Sequence, residues 1–325
     1  MKVVLNGVAV VPFASLLPPR LQTPWKIALV DDATPAAEAL RAFVGADAMV
    51  TVDFDARVPP APRLRLIQVP GAGCDGIDVG ALPPGSSLCN VHKHEAGVAE
   101  YVMLAMLQWN IRFIEASASF RAGSWERSSR FGAQPVEELG GQTVGIVGLG
   151  HIGRMVARRV KAFDARVVAA EHFPINKPAE VDVMVGLDRL GEVAAEADFL
   201  VVCCALTEST RGLIGEAVFA RMKPSAVLIN VGRGPLVDED ALWRAVSGHR
   251  IAGAVIDVWY RYPDAVNTEV KPSKYDFAAL PNVHMTPHIA GWTTGTVQRR
   301  WDVIAENLDH LARNEPFVNV VATGR

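Results

Sequence analysis

Val144-Gly145-Ile146-Val147-Gly148-Leu149-Gly150-His151-Ile152-Gly153 decides the fold class of this 325-residue chain. The first four residues read as a short buried strand, and Met155, Val156 and Val160 recur at helical spacing directly after the last glycine. A bare Gly-x-Gly-x-x-Gly is weak evidence, because glycine is common. Here the context is supplied: strand before, helix after, and Glu171 closing the next strand at about the twenty-residue spacing that a dinucleotide site requires. Gly148 permits a tight turn, Gly150 lets the backbone approach a pyrophosphate, and Gly153 allows close packing of helix on strand. The first helical turn, with His151 and Ile152, then offers unpaired N–H groups to a phosphate. Glu171 is the expected acceptor for the adenosine ribose hydroxyls. A 2′-phosphate there would meet a like charge, and no Lys or Arg occurs in residues 172–176, so the motif predicts NAD rather than NADP. The bland alternative is a turn whose glycines serve packing alone.

Outward from this motif the rhythm of strand and helix continues. Strands are expected at Thr143–Val147, Arg166–Ala170, Val181–Val185, Phe199–Cys203, Ala226–Val231, Ile251–Asp257 and Val283–Thr286, with helical stretches near 152–163, 189–196, 215–221 and 238–247. That pattern predicts a doubly wound nucleotide-binding domain. Upstream, Glu95–Ile114 carries apolar residues at Val98, Val102, Ala105, Met106 and Trp109 and reads as a long helix joining two domains. Phe120–Gly140 is polar and irregular yet keeps Trp125, Phe131 and Val136, as a mobile loop or an arm ordered on a partner subunit would. Near the N-terminus, Lys2–Leu5, Ile27–Val30, Met49–Val52 and Leu64–Ile67, with a helix over Pro35–Phe43, imply a second parallel sheet. Val69-Pro70-Gly71-Ala72-Gly73-Cys74-Asp75 then forms a glycine-rich loop beyond a strand's carboxyl end, where open α/β sheets bind ligands. A last helix, Thr293–Asn314, is expected to return to the first domain.

Composition excludes several function classes. Lys plus Arg (32) nearly balance Asp plus Glu (35), and no block of like charge tracks a phosphate backbone, so nucleic acid is not an expected partner. No run of eighteen apolar residues offers a membrane span, and Asn6, Gly7 and Pro12 break the N-terminal apolar stretch that a signal peptide would need. Cys74, Cys89, Cys203 and Cys204 show no Cys-x-x-Cys and no zinc spacing, so no metal is expected. A bridge between the adjacent Cys203 and Cys204 would be strained. Free thiols in a reducing compartment predict a cytoplasmic protein.

Five ordered stretches carry a family resemblance: Gly141–Gly150, Ala205-Leu206-Thr207-Glu208-Ser209-Thr210-Arg211-Gly212-Leu213-Ile214, Ile229-Asn230-Val231-Gly232-Arg233-Gly234, Asp257-Val258-Trp259 and Thr286-Pro287-His288. On these the chain resembles the D-isomer-specific 2-hydroxyacid dehydrogenases over nearly its whole length. The resemblance implies an α/β fold of two doubly wound parallel-sheet domains. A split flavodoxin-like substrate domain, residues 1–97 and 287–325, would hold an inserted Rossmann-type NAD domain, residues 98–286. It further implies a homodimer formed through the NAD domains, and reversible hydride transfer between NAD(H) and a small 2-hydroxy or 2-keto acid, with glyoxylate- or hydroxypyruvate-like acids foremost.

By position the resemblance implies catalytic roles for Arg233 and His288. A guanidinium clamps a carboxylate with two parallel hydrogen bonds and polarises the adjacent carbonyl. An imidazole, with an ordinary pKa of about 6.5, carries the hydroxyl proton. The Gly232-Arg233-Gly234 setting is read as leaving room for a ligand; the plainer alternatives are a strand-end cap for Arg233 and mere packing for His288. The same mapping sets Asp257 beside the nicotinamide and the backbone of Gly71, Ala72 and Gly73 around the substrate carboxylate, because successive N–H groups in a turn make an anion nest. Val98 is expected near the nicotinamide and Thr207 near the ribose or pyrophosphate. Cys203, Cys204, Ala205, Thr210, Val231 and Gly232, with Arg233 and His288, complete the expected cofactor contacts.

Two departures stand out. Where relatives carry a glutamate that raises the pKa of the histidine, this chain has Tyr262 before Pro263. Its neutral hydroxyl can hydrogen-bond an imidazole without stabilising imidazolium as a carboxylate does, so His288 is expected to titrate lower than in those relatives. The missing glutamate also leaves two alternatives: oxidation of a small anion as in formate dehydrogenases, or a catalytically silent NAD-binding regulator. Secondly, His92-Lys93-His94-Glu95 replaces the usual proline-glycine loop. Lys93 and His94 are candidate substrate contacts for a second anionic group, against the alternative of a solvated hinge. Pro263–Phe277 is longer than usual and is expected to cover the site, and Glu100 is expected to tie the joining helix to a loop.

Overall fold

Strands buried on both faces need continuous apolar runs rather than alternation, and this chain supplies them: Phe199–Val202, Val227–Asn230 and Gly253–Ile256 are buried at every residue. The computed structural model describes residues 1–263 and 269–325. The chain divides into two compact units, Met1–Lys93 with Thr294–Arg325, and His94–Thr293.

The first unit holds β1 (Lys2–Asn6), β2 (Lys26–Val30), α1 (Ala36–Val44), β3 (Ala48–Val50), β4 (Leu66–Gln68) and β5 (Ser87–Cys89), completed from the far end of the chain by α8 (Thr294–Arg313) and β13 (Val320–Thr323). Its sheet runs β13-β5-β4-β3-β1-β2. The five N-terminal strands are parallel in the flavodoxin-like order, and β13 adds antiparallel to β5. Trp301, Ile304 and Leu308 of α8 pack in one core cluster with Val3, Leu5 and Leu66. The buried Asn307 ties α8 to the sheet by donating to Gln68 Oε1 at 2.7 Å. Strands β5 and β13 were not expected from the sequence: each is only three or four residues long, and the apolar run of β13 lies largely exposed at the sheet edge.

The second unit opens with α2 (Glu95–Ile111) and α3 (Phe113–Arg121). The expected single helix to Ile114 is broken because Arg112 takes left-handed φ 53°, which ends one helix and starts the next. There follow β6 (Thr143–Val147), α4 (His151–Lys161), β7 (Arg166–Glu171), β8 (Val183–Gly186), α5 (Leu190–Glu196), β9 (Phe199–Val202), α6 (Glu216–Phe219), β10 (Val227–Asn230), α7 (Glu239–Ser247), β11 (Gly253–Ile256) and β12 (Val283–Met285). The sheet order β8-β7-β6-β9-β10-β11-β12 is that of a Rossmann fold with one added parallel strand. Local chemistry agrees with the element ends. Asp238 caps α7 by accepting from Ala241 N at 2.7 Å, and Arg158, Arg159 and Lys161 sit at the carboxyl end of α4, where the helix dipole favours cations.

Two details depart from the sequence reading. Residues 94–97 and 287–293 group with the Rossmann unit rather than the split one. The reason is close packing at Gly97, where a Cβ would stand 2.8 Å from Thr293 Cγ2 and 3.3 Å from the Ala290 carbonyl. Glu100 pairs with Arg159 Nη2 of helix α4 at 3.3 Å, not with a loop. Cys203 and Cys204 pack against opposite core clusters, and all four cysteines are free. Among the described residues no helix is long and apolar enough to cross a membrane. Of the segment expected to cover the site, residues 264–268 lie outside the described residues.

Candidate active site

The site is built where the strand order of the Rossmann sheet reverses, between β6 and β9. Gly148 follows β6 with φ +95°, and a Cβ there would stand 2.6 Å from Cys204 Cα. Gly153 has its own constraint, since a Cβ would fall 2.0 Å from the Gly148 carbonyl oxygen. Gly150 alone faces open space, with nothing within 4 Å of the Cβ position. The three glycines thus divide as the sequence predicts: one turns, one packs, and one leaves the backbone approachable at the start of α4. Glu171 reaches over this turn, its Oε2 accepting from Leu149 N and its Oε1 accepting from His172 N at 2.8 Å. Lys177, the first cation after Glu171, donates to the Val181 carbonyl at 2.5 Å rather than serving the rim. An approachable turn, a helix start and a rim carboxylate suit a dinucleotide without a 2′-phosphate.

On the neighbouring strand ends, Cys203 Sγ donates to the Gly148 carbonyl at 3.2 Å. Burial pushes the Cys204 thiol up to about 11 and that of Cys203 higher still. Both are inert thiols at neutral pH. Beyond them Thr207 and Thr210 lock their loop reciprocally: Thr207 N donates to Thr210 Oγ1 at 2.7 Å, and Thr210 Oγ1 donates to the Ala205 carbonyl at 2.8 Å.

Arg233 lies in a turn held by Asn230. Asn230 is buried, donates from Nδ2 to the Arg233 carbonyl at 3.1 Å and accepts on Oδ1 from Gly232 N at 3.2 Å. The expectation that Gly232 and Gly234 leave room for a ligand is corrected here. A Cβ on Gly232 would stand 2.6 Å from Leu236 Cδ1 and 3.2 Å from the Cys204 carbonyl, and one on Gly234 would stand 2.3 Å from the Trp259 carbonyl oxygen. Both glycines make room for protein. In doing so they bring the Arg233 turn against the end of β9, beside Val231, and against the Trp259 backbone. Arg233 Nη1 donates to the Gly232 carbonyl at 2.9 Å.

Asp257 is the hub of the remaining corner. It is 1 % exposed, and its carboxylate accepts from Thr286 Oγ1 at 2.6 Å, Ile289 N at 2.8 Å and Ala290 N at 2.9 Å. Because Thr286 spends its single proton on Asp257, Tyr101, 2.6 Å from Thr286 Oγ1, must donate to it. Burial raises the Tyr101 phenol to about 12, so that donor stays protonated. Three hydrogen bonds to one buried carboxylate fix residues 286–290, and His288 sits between them in the left-handed region at φ 59°. Trp259 adds a brace, Nε1 donating to the Thr286 carbonyl at 2.9 Å. Tyr262 Oη accepts from Trp259 N at 3.0 Å and lies 3.0 Å from His288 Nδ1. Val98 is buried on α2 with a methyl 3.4 Å from where a Cβ of Gly291 would stand. Tyr101, Thr286 and Trp259 went unrecognised as site residues, since nothing local in sequence distinguishes their polar atoms from ordinary packing.

The sequence-predicted residues therefore fall in two sets. Gly148 to Gly153, Glu171, Cys203 to Thr210, Val231 to Arg233, Asp257, Tyr262, His288, Val98 and His94 belong to the Rossmann unit; Gly71, Ala72, Gly73 and Lys93 belong to the other. Lys93 is exposed, with backbone φ 78°. Among the described residues no cluster of His, Cys, Asp and Glu could hold a metal ion.

Residues 103–290 match the family model for the D-isomer specific 2-hydroxyacid dehydrogenase, NAD binding domain. A D-3-phosphoglycerate dehydrogenase of Methanocaldococcus jannaschii is 32% identical over 266 residues, covering 81% of this chain and 48% of the relative. The chain thus spans about half the length of the phosphoglycerate dehydrogenases it matches. A glyoxylate reductase of Thermococcus gammatolerans is 35% identical over 255 residues, covering 76% of this chain and 73% of that protein. A solved 2-hydroxyacid dehydrogenase from Ketogulonicigenium vulgare Y25 superposes with a TM-score of 0.82 at 26% identity, over 100% of this chain and 99% of that one. With sheet order, fingerprint and family match in agreement, the chain belongs to the D-isomer specific 2-hydroxyacid dehydrogenase family and carries that family's NAD-binding domain.

Proposed function

We propose that this chain is an NAD-dependent oxidoreductase that interconverts a small 2-hydroxy acid and its 2-keto acid, with glyoxylate- and hydroxypyruvate-like acids foremost. One observation carries the reading: His288 Nδ1 lies 3.0 Å from a hydroxyl that Trp259 N–H anchors, in the unit where Gly234 seats the Arg233 turn against the Trp259 backbone. The glyoxylate reductase among the relatives supports it.

Gly148–Gly153 and Glu171 would hold NAD, which would supply or accept the hydride at the substrate's second carbon. Arg233 clamps the substrate carboxylate and polarises the carbonyl. His288 gives the proton from Nε2 during reduction and takes it back during oxidation. Tyr262 Oη has two lone pairs; Trp259 N–H uses one, and Nδ1–H of His288 uses the other. That keeps Nε2 as the proton-exchanging nitrogen without adding charge beside it. Gly71, Ala72 and Gly73 serve as the nest for the substrate carboxylate, Lys93 and His94 as further substrate contacts, and Met1–Lys93 with Thr294–Arg325 as the substrate domain.

We assign the protein to the cytosol as a homodimer formed through its Rossmann unit. Free cysteines favour the first. The second is favoured by Phe113, Ile114, Phe120, Trp125 and Phe131, all more than half exposed within one stretch. Light scattering reads the mass directly.

The test is NADH oxidation with glyoxylate, pyruvate, hydroxypyruvate and bulkier keto acids, beside NADPH and beside formate with NAD. Turnover of keto acids that is lost on Arg233→Ala and His288→Ala bears the proposal out. Turnover of formate alone, or NADH binding without any turnover, refutes it in favour of the formate or the regulatory reading.

A further inference from the structure

Arg300 is an anomaly of the first unit. It stands on α8 immediately before the buried Trp301, its Nε is sealed from solvent, and that atom has no hydrogen-bond partner. Among the described residues Arg300 makes no ion pair either. Burial depresses its pKa with no acidic side chain opposing the shift. Arg300 is part-exposed overall, yet drawing a guanidinium partly out of water with no counter-charge is costly, so its retention points to a partner that is not part of the chain.

What lies beside it is the glycine turn after β4. A Cβ on Gly71 would stand 3.9 Å from Arg300 Nη2, so the guanidinium comes to within ordinary contact of the space that Gly71 leaves open. The turn's carbonyls are already served: Gly71 O accepts from Val91 N at 2.9 Å, and Ala72 O accepts from Asn90 Nδ2 at 2.8 Å. The N–H groups of Gly71, Ala72 and Gly73 have no acceptor among the described residues. Unspent donors and a guanidinium without a counter-charge therefore share one turn, meeting at Gly71. Backbone N–H rows and planar guanidinium forks both match the oxygen geometry of carboxylates and phosphates.

We propose that Arg300 and the N–H groups of Gly71–Gly73 form one anion subsite that binds an acidic group of the substrate, making Arg300 a specificity-determining residue. The assignment rests on the 2-keto acid reading above and adds to it a cation that family motifs do not mark. The occupant is an oxyanion, either the 2-carboxylate itself or a second carboxylate or phosphate on the same substrate.

Arg300→Met and Arg300→Lys test it by two independent readouts. In thermal unfolding without cofactor, oxalate and, separately, inorganic phosphate should raise the Tm of the wild type. Arg300→Met should unfold no lower than wild type without ligand and should lose the anion-dependent rise, while Arg300→Lys, keeping the charge but not the fork, should need roughly tenfold more anion. In turnover, Arg300→Met should raise KM at least about tenfold with kcat within about twofold, as loss of uniform binding does. A rise for glyoxylate and 2-oxoglutarate alike assigns the subsite to the 2-carboxylate. A rise for 2-oxoglutarate or phosphohydroxypyruvate alone assigns it to the second acidic group. The proposal is overturned if Arg300→Met lowers the ligand-free Tm and leaves both the oxalate response and KM unchanged. Should Arg300→Met fail to fold, an unaltered anion response in Arg300→Lys overturns it equally. If the wild type reduces no keto acid, the enzymatic reading falls, while the oxalate and phosphate shifts still decide the subsite.

Discussion

Glu171 and Asp257 each stand at the carboxyl end of a parallel strand, and each accepts hydrogen bonds from the backbone of the loop after a neighbouring strand. Glu171 lies at a half-buried rim and takes one N–H from the glycine turn, a bond that ribose hydroxyls can exchange for their own. Asp257 is sealed and takes three bonds that hold the histidine segment. Both acids were expected to face the dinucleotide. Burial, more than residue type, separates the two carboxylates: one keeps a solvent-facing side, and the other is spent on the chain.

Substitution is the direct way to break this comparison. Asp257→Ala strands three donors, one buried and two part-buried, and should cost about 3 kcal/mol of folding stability in urea titration, since each unsatisfied buried group costs about 1–3 kcal/mol. If its loss of stability matched that of Glu171→Ala, the contrast would be wrong. Glu171→Ala should change unfolding by less than about 1 kcal/mol yet weaken NADH binding roughly tenfold, about 1.4 kcal/mol, and narrow the preference for NADH over NADPH. Isothermal titration with both cofactors reads this.

Tyr262 sharpens the same contrast, because it joins the Asp257 corner to His288 through a neutral oxygen. Tyr262→Phe leaves Trp259 N–H without its acceptor and should destabilise by about 1 kcal/mol. Tyr262→Glu sets a carboxylate beside the imidazole and favours its charged form. Keto-acid reduction needs the protonated imidazole, so its decline on the alkaline side should move to higher pH; an unmoved pH profile would separate Tyr262 from the proton step. The smallest expected effect concerns the thiols. With Cys204 held near 11 by burial, iodoacetamide at pH 7 should leave Cys203 and Cys204 unmodified until the protein unfolds, as mass spectrometry can record.

Much of the Rossmann unit was legible because its signals are local. A glycine at φ +95° and a glycine whose Cβ would strike a carbonyl leave their mark in residue type, and strands buried on both faces leave apolar runs. Strands β5 and β13 were illegible, since their pairing joins residue 89 to residue 320 and no periodicity spans that distance. The break at Arg112 was hidden too, because a left-handed arginine looks like any helical arginine in sequence.

The amino-acid sequence by itself determined the sheet type, the glycine turn between β6 and α4, and the family. Only the tertiary structure decided that Gly232 and Gly234 accommodate protein, that Asp257 braces the histidine segment through three bonds, and that Arg300 is left uncompensated beside Gly71. Periodicity and turn chemistry are properties of neighbours along the chain. The pairing and desolvation of a polar group depend on atoms brought together from hundreds of residues apart.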